Sequence, residues 1–142
     1  MKINDVMTKE IIKIDGKESV DMAAKMMKQY NIGSIPVYDK DKIIGIITDR
    51  DIVVRVMADE KNIKETTVRE VMTSNPVCLA SDKDVTEAAR VMSERQIRRI
   101  IVKDEEEVKG IVSLGDLAVE KISKEEIGET LKEISTPCGP CL

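Results

Sequence analysis

Apolar positions along the chain recur at two spacings. Val20, Ala23, Ala24 and Met27 fall three and four apart, the period of one helix face, and Val85, Ala88, Ala89 and Met92 repeat that spacing further on. Before each run stands a residue suited to capping a helix, Ser19 or Asp84, whose side-chain oxygen accepts a free N–H of the first turn. A short aliphatic strand is predicted ahead of each cap, over residues 11–14 and 77–79. After each helix come two strand-like runs joined by a polar turn: SIPVY, DKDK and IIGII in one place, RIIV, DEEE and VKGIV in the other. A closing helix is predicted over residues 49–57 and again over 115–122.

The two series are copies of one another. A shift of 65 positions lays DVMT (5–8) on EVMT (70–73), Val20 on Val85, Met27 on Met92, Ile32 on Ile97, Val37 on Val102, Gly45 on Gly110 and Asp51 on Asp116, without a gap. One unit of this size buries too little apolar surface to be stable, since domains below roughly 40–60 residues are marginal. Two units packed sheet to sheet would share a core, which predicts an α+β fold of two halves. The organisation read from the repeat is residues 3–58 for the first copy, 59–67 for a connector, 68–122 for the second copy, and 123–142 for a further helix and a tail. That last helix, SKEEIGETLKEIS, opens with the capping-box pair Ser123 and Glu126.

Composition narrows the chemistry. The 142 residues carry a formal net charge of -4, with no Trp, no Phe and two Tyr. There is thus neither a basic field for a polyanion nor a set of rings for stacking bases, and nucleic-acid binding is not expected. The absence of His removes Ser-His-Asp and Cys-His catalysis and His-containing zinc sites. No apolar run approaches the roughly 18 residues of a membrane span, and MKINDVMTKE has no basic region leading into an apolar stretch, so a cytoplasmic, membrane-free protein is expected. Cys78, within PVCLA, reads as a buried small hydrophobe. Cys138 and Cys141 form CGPC, the spacing of a dithiol redox centre, but only Leu142 follows them, where such centres are followed by a helix. Exposed thiols in a tail are the simpler reading.

One pattern remains, present twice: Thr48-x-x-Asp51 and Ser113-x-x-Asp116, each after GII or GIV. Both fit a capping box, the hydroxyl accepting a backbone N–H and the acid reaching back. Both also sit where an aliphatic strand passes into a helix, where free N–H groups favour an anion such as phosphate. A carboxylate there suits two vicinal ribose hydroxyls, as in dinucleotide-binding folds. A nucleotide would account for hydroxyl, carboxylate and helix start together.

Taken in order, VMT, the Ala-Ala helix, IGSIPV and GIITDRD, then VMT, the second Ala-Ala helix, IRRIIV and GIVSLGD, resemble a tandem pair of CBS motifs, often called a Bateman module, from about Ile3 to Ile122. The resemblance implies two β-α-β-β-α halves related by a pseudo-two-fold axis, packed through their sheets, with clefts for adenosine-containing ligands: AMP, ADP, ATP or S-adenosylmethionine. It also implies a regulatory role rather than an enzymatic one, a homodimer, and a separately encoded enzyme, channel or transporter as the regulated partner. Carried onto this chain, Asp51 and Asp116 take the ribose, with Thr48 and Ser113 beside ribose or phosphate. Adenine would be held by main-chain and aliphatic groups of Ile35 and Pro36, Ile100 and Ile101, and of segments near 8–12 and 73–77, including Ile12 and Val77.

The copies differ where a phosphate would lie. Pro36 becomes Ile101, Arg50 becomes Gly115, and Gly33 and Ser34 become Arg98 and Arg99. Equal phosphate affinity in the two clefts is therefore not expected. An arginine of one half reaching a phosphate held by the other is one reading of Arg98 and Arg99; surface charges beside Glu94 and Asp104 is the second. Met26, Met27 and Met92 are expected in core and subunit contacts. Three functions follow: an adenosyl-ligand sensor, a scaffold of the same fold that has lost its ligand, and a thiol-redox protein acting through Cys138 and Cys141.

Overall fold

The computed structural model describes residues 1–119 and 124–137, the side chain of Lys124 excepted. In chain order the elements are α1 (Ile3–Val6), β1 (Ile14–Asp15), α2 (Val20–Tyr30), β2 (Ser34–Asp39), β3 (Lys42–Thr48), α3 (Asp49–Ile52, running on as a π-helical turn over Val53–Met57), α4 (Val68–Val71), β4 (Thr73–Ser74), β5 (Cys78–Leu79), α5 (Val85–Arg95), β6 (Arg99–Asp104), β7 (Glu107–Ser113), α6 (Leu114–Val119) and α7 (Lys124–Ser135). This is the α+β class expected from the sequence. The chain forms two compact bodies: Ile12–Pro76, and Met1–Ile11 together with the chain from Val77 onward.

The first body holds the sheet β1-β2-β3-β4 and the second β5-β6-β7. Their registers match at the same 65-residue offset that relates the sequences. Ser34 faces Thr48 and Ile35 faces Ile47 in one, Arg99 faces Ser113 and Ile100 faces Val112 in the other, and each has a bulge at the same place, after Val37 or Val102. A conserved offset in register keeps the same residues turned inward, because a slip of one residue would turn every side chain to the opposite face. The caps form as expected: Ser19 Oγ accepts the Met22 N–H at 3.1 Å and Asp84 Oδ1 the Thr86 N–H at 2.9 Å. Both helices close with a left-handed residue, Asn31 and Gln96.

The bodies are not the sequence copies. The segment that opens each copy packs into the body of the other. Thr73 pairs with Ile46 across β4 and β3, and Thr8 bridges Ile111 of β7. Val68 and Val71 lie in the core with Ile14, Val20 and Val37, whereas Ile3 joins Val85, Met92 and Val102. Close approach requires Gly45 and Gly110: a Cβ at Gly45 would stand 2.6 Å from the Thr73 carbonyl, and one at Gly110 would fall against that of Thr8. The short helices α1 and α4 were not foreseen, since one turn is too short to display a period.

Three expectations are corrected. The first strand begins at Ile14, not residue 11, and the second at Cys78; the one residue by which β5 starts earlier at the 65-residue offset follows from Pro36 having no N–H, where Ile101 N–H reaches the Val77 carbonyl at 3.1 Å. The helix expected over 49–57 is α-helical only to Ile52. Its β-branched run Ile52-Val53-Val54 crowds a regular α-turn, and the wider turn carries Val56 into the core. Ala24 is exposed, although its counterpart Ala89 is 8% exposed. The cause is α7, which packs on α5 with Ile127 and Ile134 against the second core, while among the described residues no helix lies over α2 in that way. Helix α6 is described to Val119, and the Ser123 cap, Cys138 and Cys141 lie outside the described residues.

Candidate functional site

The sequence Gly-aliphatic-aliphatic-hydroxyl ends a strand in both bodies, and the chain then turns at once into a helix. In the first body Asp51 Oδ2 accepts the Thr48 N–H at 2.9 Å and Thr48 Oγ1 accepts the Asp51 N–H at 3.1 Å. In the second, Asp116 Oδ2 accepts the Ser113 N–H at 2.9 Å and Ser113 Oγ accepts the Asp116 N–H at 3.0 Å. Both are complete capping boxes. The helix start is braced a second time by the strand before it: Asp49 N–H donates to the Gly33 carbonyl at 2.9 Å, Leu114 N–H to that of Arg98 at 2.8 Å. Strand end, carboxylate and helix start are thus one rigid unit in each body.

One carboxylate oxygen is used in each box, and the other differs. Asp51, 7% exposed, has Oδ1 within 3.4 Å of the Thr73 hydroxyl, which donates to it, and 3.9 Å from Arg55 Nε. Arg55 Nη1 in turn donates to the Val71 and Met72 carbonyls at 3.1 and 3.0 Å, tying α4 to the site. Asp116 is half-buried and carries no such second brace among the described residues. Arg55 was not singled out from the sequence, and Thr73 entered only as the first residue of the segment 73–77 expected to hold adenine, not as a partner of Asp51. The signal for Arg55 was its place four residues after Asp51 on one helix face.

The other expected residues fall around these pairs. Ile35 and Ile100 turn their side chains into the two cores, so only their main chain is left for a ligand. Pro36 and Ile101 are buried on the alternate positions of β2 and β6, and Ile101 lies outside the core cluster of its own body. Ile12 and Val77 are half-buried against their respective cores. The Val77 carbonyl is taken by Ile101 N–H, while Pro36 has no proton to give Ile12. Arg50 is exposed beside Asp49, whose Oδ1 accepts the Arg50 N–H at 2.8 Å.

Arg98 and Arg99 are exposed, and Arg99 is the cross-strand partner of Ser113. The two acids near them in sequence are engaged elsewhere: Glu94 with Arg90 at 2.6 Å, and Asp104 with the Ser81 hydroxyl at 2.6 Å. That hydroxyl, with the Ser81 N–H, holds the Asp104 carboxyl below the usual carboxylate range. Cys78 is half-buried, not buried; desolvation pushes its thiol pKa up, Lys103 draws it partly back, and the net shift leaves a poor nucleophile. No group of three or more metal-ligating side chains and no helix long and apolar enough to cross a membrane occurs among the described residues.

Comparison with known proteins gives a consistent result. The family model of the CBS domain matches residues 3–58 and 68–122. A CBS domain-containing protein of Bacillus subtilis, YhcV, is 37% identical over 133 residues, covering 94% of each chain. Among solved structures, a conserved CBS domain protein of unknown function from Thermoplasma acidophilum, TA0289, superposes with a TM-score of 0.83 at 27% identity, over 94% of this chain and 75% of that one. The CBS domain pair of protein MJ0100, in complex with 5′-methylthioadenosine and S-adenosylmethionine, superposes with a TM-score of 0.75 at 32% identity, over 83% and 93%.

Proposed function

The chain belongs to the CBS domain family, of which it carries a tandem pair, and from that premise we propose that it is a regulatory module for adenosine-containing ligands. Asp51 and Asp116 accept hydrogen bonds from the ribose diol, and the strand-to-helix turns at Thr48 and Ser113 hold the remainder of the nucleoside. The observation that carries this reading is the duplicated hydroxyl–carboxylate pair, with the same two hydrogen bonds in both bodies and fixed against the strand end. The bound 5′-methylthioadenosine and S-adenosylmethionine of the MJ0100 pair support it. AMP, ADP and ATP belong to the same ligand class. Ligand binding alters the protein's contacts with a separately encoded enzyme or transporter, and the chain's own role is regulatory rather than catalytic.

A homodimer completes the proposal. The first body exposes Met22 and Tyr30 on α2 and Val53, Val54 and Met57 on the helix after β3, five large apolar side chains on two successive helices. A second copy is the occupant.

One observation favours the other reading, a scaffold without ligand: both carboxylates are already satisfied by capping, so the fold alone gives them a use. Asp51→Asn and Asp116→Asn separate the two. Asparagine keeps the accepting oxygen of the cap and loses the charge. Thermal unfolding of the full chain with S-adenosylmethionine, 5′-methylthioadenosine, AMP and ATP is expected to show stabilisation of about 2.7 kcal/mol at a hundredfold excess over Kd, diminished in each variant. No stabilisation by any of the four leaves the scaffold.

A further inference from the structure

The two hydroxyl–carboxylate pairs share one scaffold and differ in what lies over the carboxylate. By the repeat, Thr73 corresponds to Thr8 and Arg55 to position 120, which is Glu. The main chains of the two threonines are seated alike, Thr73 opposite Ile46 and Thr8 opposite Ile111. Their hydroxyls are not used alike. That of Thr73 lies 3.4 Å from Asp51 Oδ1 and 3.5 Å from Oδ2. No hydrogen bond joins Thr8 to Asp116, whose bonds among the described residues are the two of its capping box. Asp51 is accordingly buried and Asp116 half-buried.

The residue that differs is Arg55. Its Nε stands 3.9 Å from Asp51 Oδ1, and its Nη1 donates to the Val71 and Met72 carbonyls at the C-terminal end of α4. One guanidinium thus joins the carboxylate to the two residues that precede Thr73, and keeps the threonine against the acid. Donors in a fixed planar fork can bridge a carboxylate and two carbonyls; a glutamate, which has only acceptors when ionised, cannot. A ribose diol needs the acceptor positions that the helix cap leaves over. At Asp116 no described residue takes them. At Asp51 a sugar has to displace the Thr73 hydroxyl and loosen the Arg55 bridge, and a hydrogen bond exchanged contributes less than one newly made.

We infer that the two sites fill unequally. The Ser113–Asp116 site is the tighter for an adenosine moiety, and the Thr48–Asp51 site is held against the sugar by Arg55 and Thr73, positioning residues that act through Asp51. This rests on the reading of both pairs as ribose sites.

Calorimetric titration of the full chain with 5′-methylthioadenosine, which carries no phosphate and no charge, tests it. Two sites differing by at least about tenfold in Kd are expected. Asp116→Asn is expected to remove the tighter site and Asp51→Asn the weaker. Thr73→Val keeps the shape of the side chain and removes its hydroxyl; this variant and Arg55→Ala are each expected to tighten the weaker site by at least about threefold and to leave the tighter within about twofold. Damage to the fold would weaken binding rather than strengthen it. A wild type with one site, at Asp116, that gains a second in these variants supports the inference equally. Equal sites in the wild type, a tighter site lost in Asp51→Asn, or a folded variant of either kind whose weaker site does not tighten overturns it and leaves the proposed function standing. No binding of 5′-methylthioadenosine by any of these chains also overturns it, and the proposed function falls with it only when S-adenosylmethionine, AMP and ATP give no stabilisation either.

Discussion

Asp51 and Asp116 each close a capping box with Oδ2, which the fold needs whether or not a ligand arrives. The proposed sugar contact falls to the other oxygen, which at Asp51 already accepts from the Thr73 hydroxyl. Removing the carboxylate therefore costs stability by itself. Asp116→Ala is expected to lower the unliganded protein's unfolding free energy by about 1 kcal/mol, the usual loss for a capping contact, read as a fall in Tm of about 3 °C. A larger fall is expected for Asp51→Ala, because Thr73 and Arg55 lose their acceptor as well. An unchanged Tm in both variants would show that the boxes contribute nothing. The pairs were legible in the sequence because hydroxyl and acid stand three residues apart at a strand end, twice; the second brace on Asp51 was not, because Thr73, which supplies it, stands 22 residues further on.

Elements of the two bodies are paired by offset, but their fastenings differ. The turn after β5 is held to β6 by Ser81, whose hydroxyl and N–H both donate to Asp104. At the corresponding place in the first body stand Gly16, which has no side chain to offer, and Asp39, which pairs with Arg69 at 3.2 Å. The depressed Asp104 pKa has a consequence with a definite sign. A carboxyl whose folded pKa lies below its unfolded value adds stability above the unfolded value, and that contribution is lost as pH falls through the folded one. Asp104→Asn is therefore expected to be less stable than wild type at neutral pH, with the difference shrinking below about pH 4. Denaturant titrations across that range check it; a difference independent of pH would mean that the charge is not what holds the turn. Helix periods and caps were readable from the chain; the displaced start of β1 and the π-turn were not, since each depends on which partner a backbone group meets.

The whole molecule is asymmetric although its sequence is a repeat. Helix α7 covers α5 with Ile127 and Ile134, and Gln96 fastens its far end through the Glu133 and Thr136 carbonyls. Helix α2 has no such cover among the described residues. The neighbouring Val54 and Met57 are 47% and 65% exposed, and this face is where a second copy is proposed. Sedimentation is expected to give a dimer for the wild type and a monomer for Val54→Lys with the Tm of the monomer unit retained, since Val54 lies outside the core. A wild-type monomer, or a Val54→Lys dimer of the same affinity, would remove this face from consideration.

By itself the sequence determined the long helices and their caps and the hydroxyl–carboxylate pairs, each a matter of spacing within a dozen or so residues, and the repeat and class of fold, because those same spacings recur in order 65 positions on. Only the tertiary structure decided which body each opening segment completes, with Thr73 seated on Gly45's strand and Thr8 on Gly110's, and which of two equivalent helices is covered. Those outcomes depend on pairing between residues far apart in the chain. A local pattern places a residue on a face, and the partner that face finds depends on the space and hydrogen-bonding groups the rest of the chain leaves open.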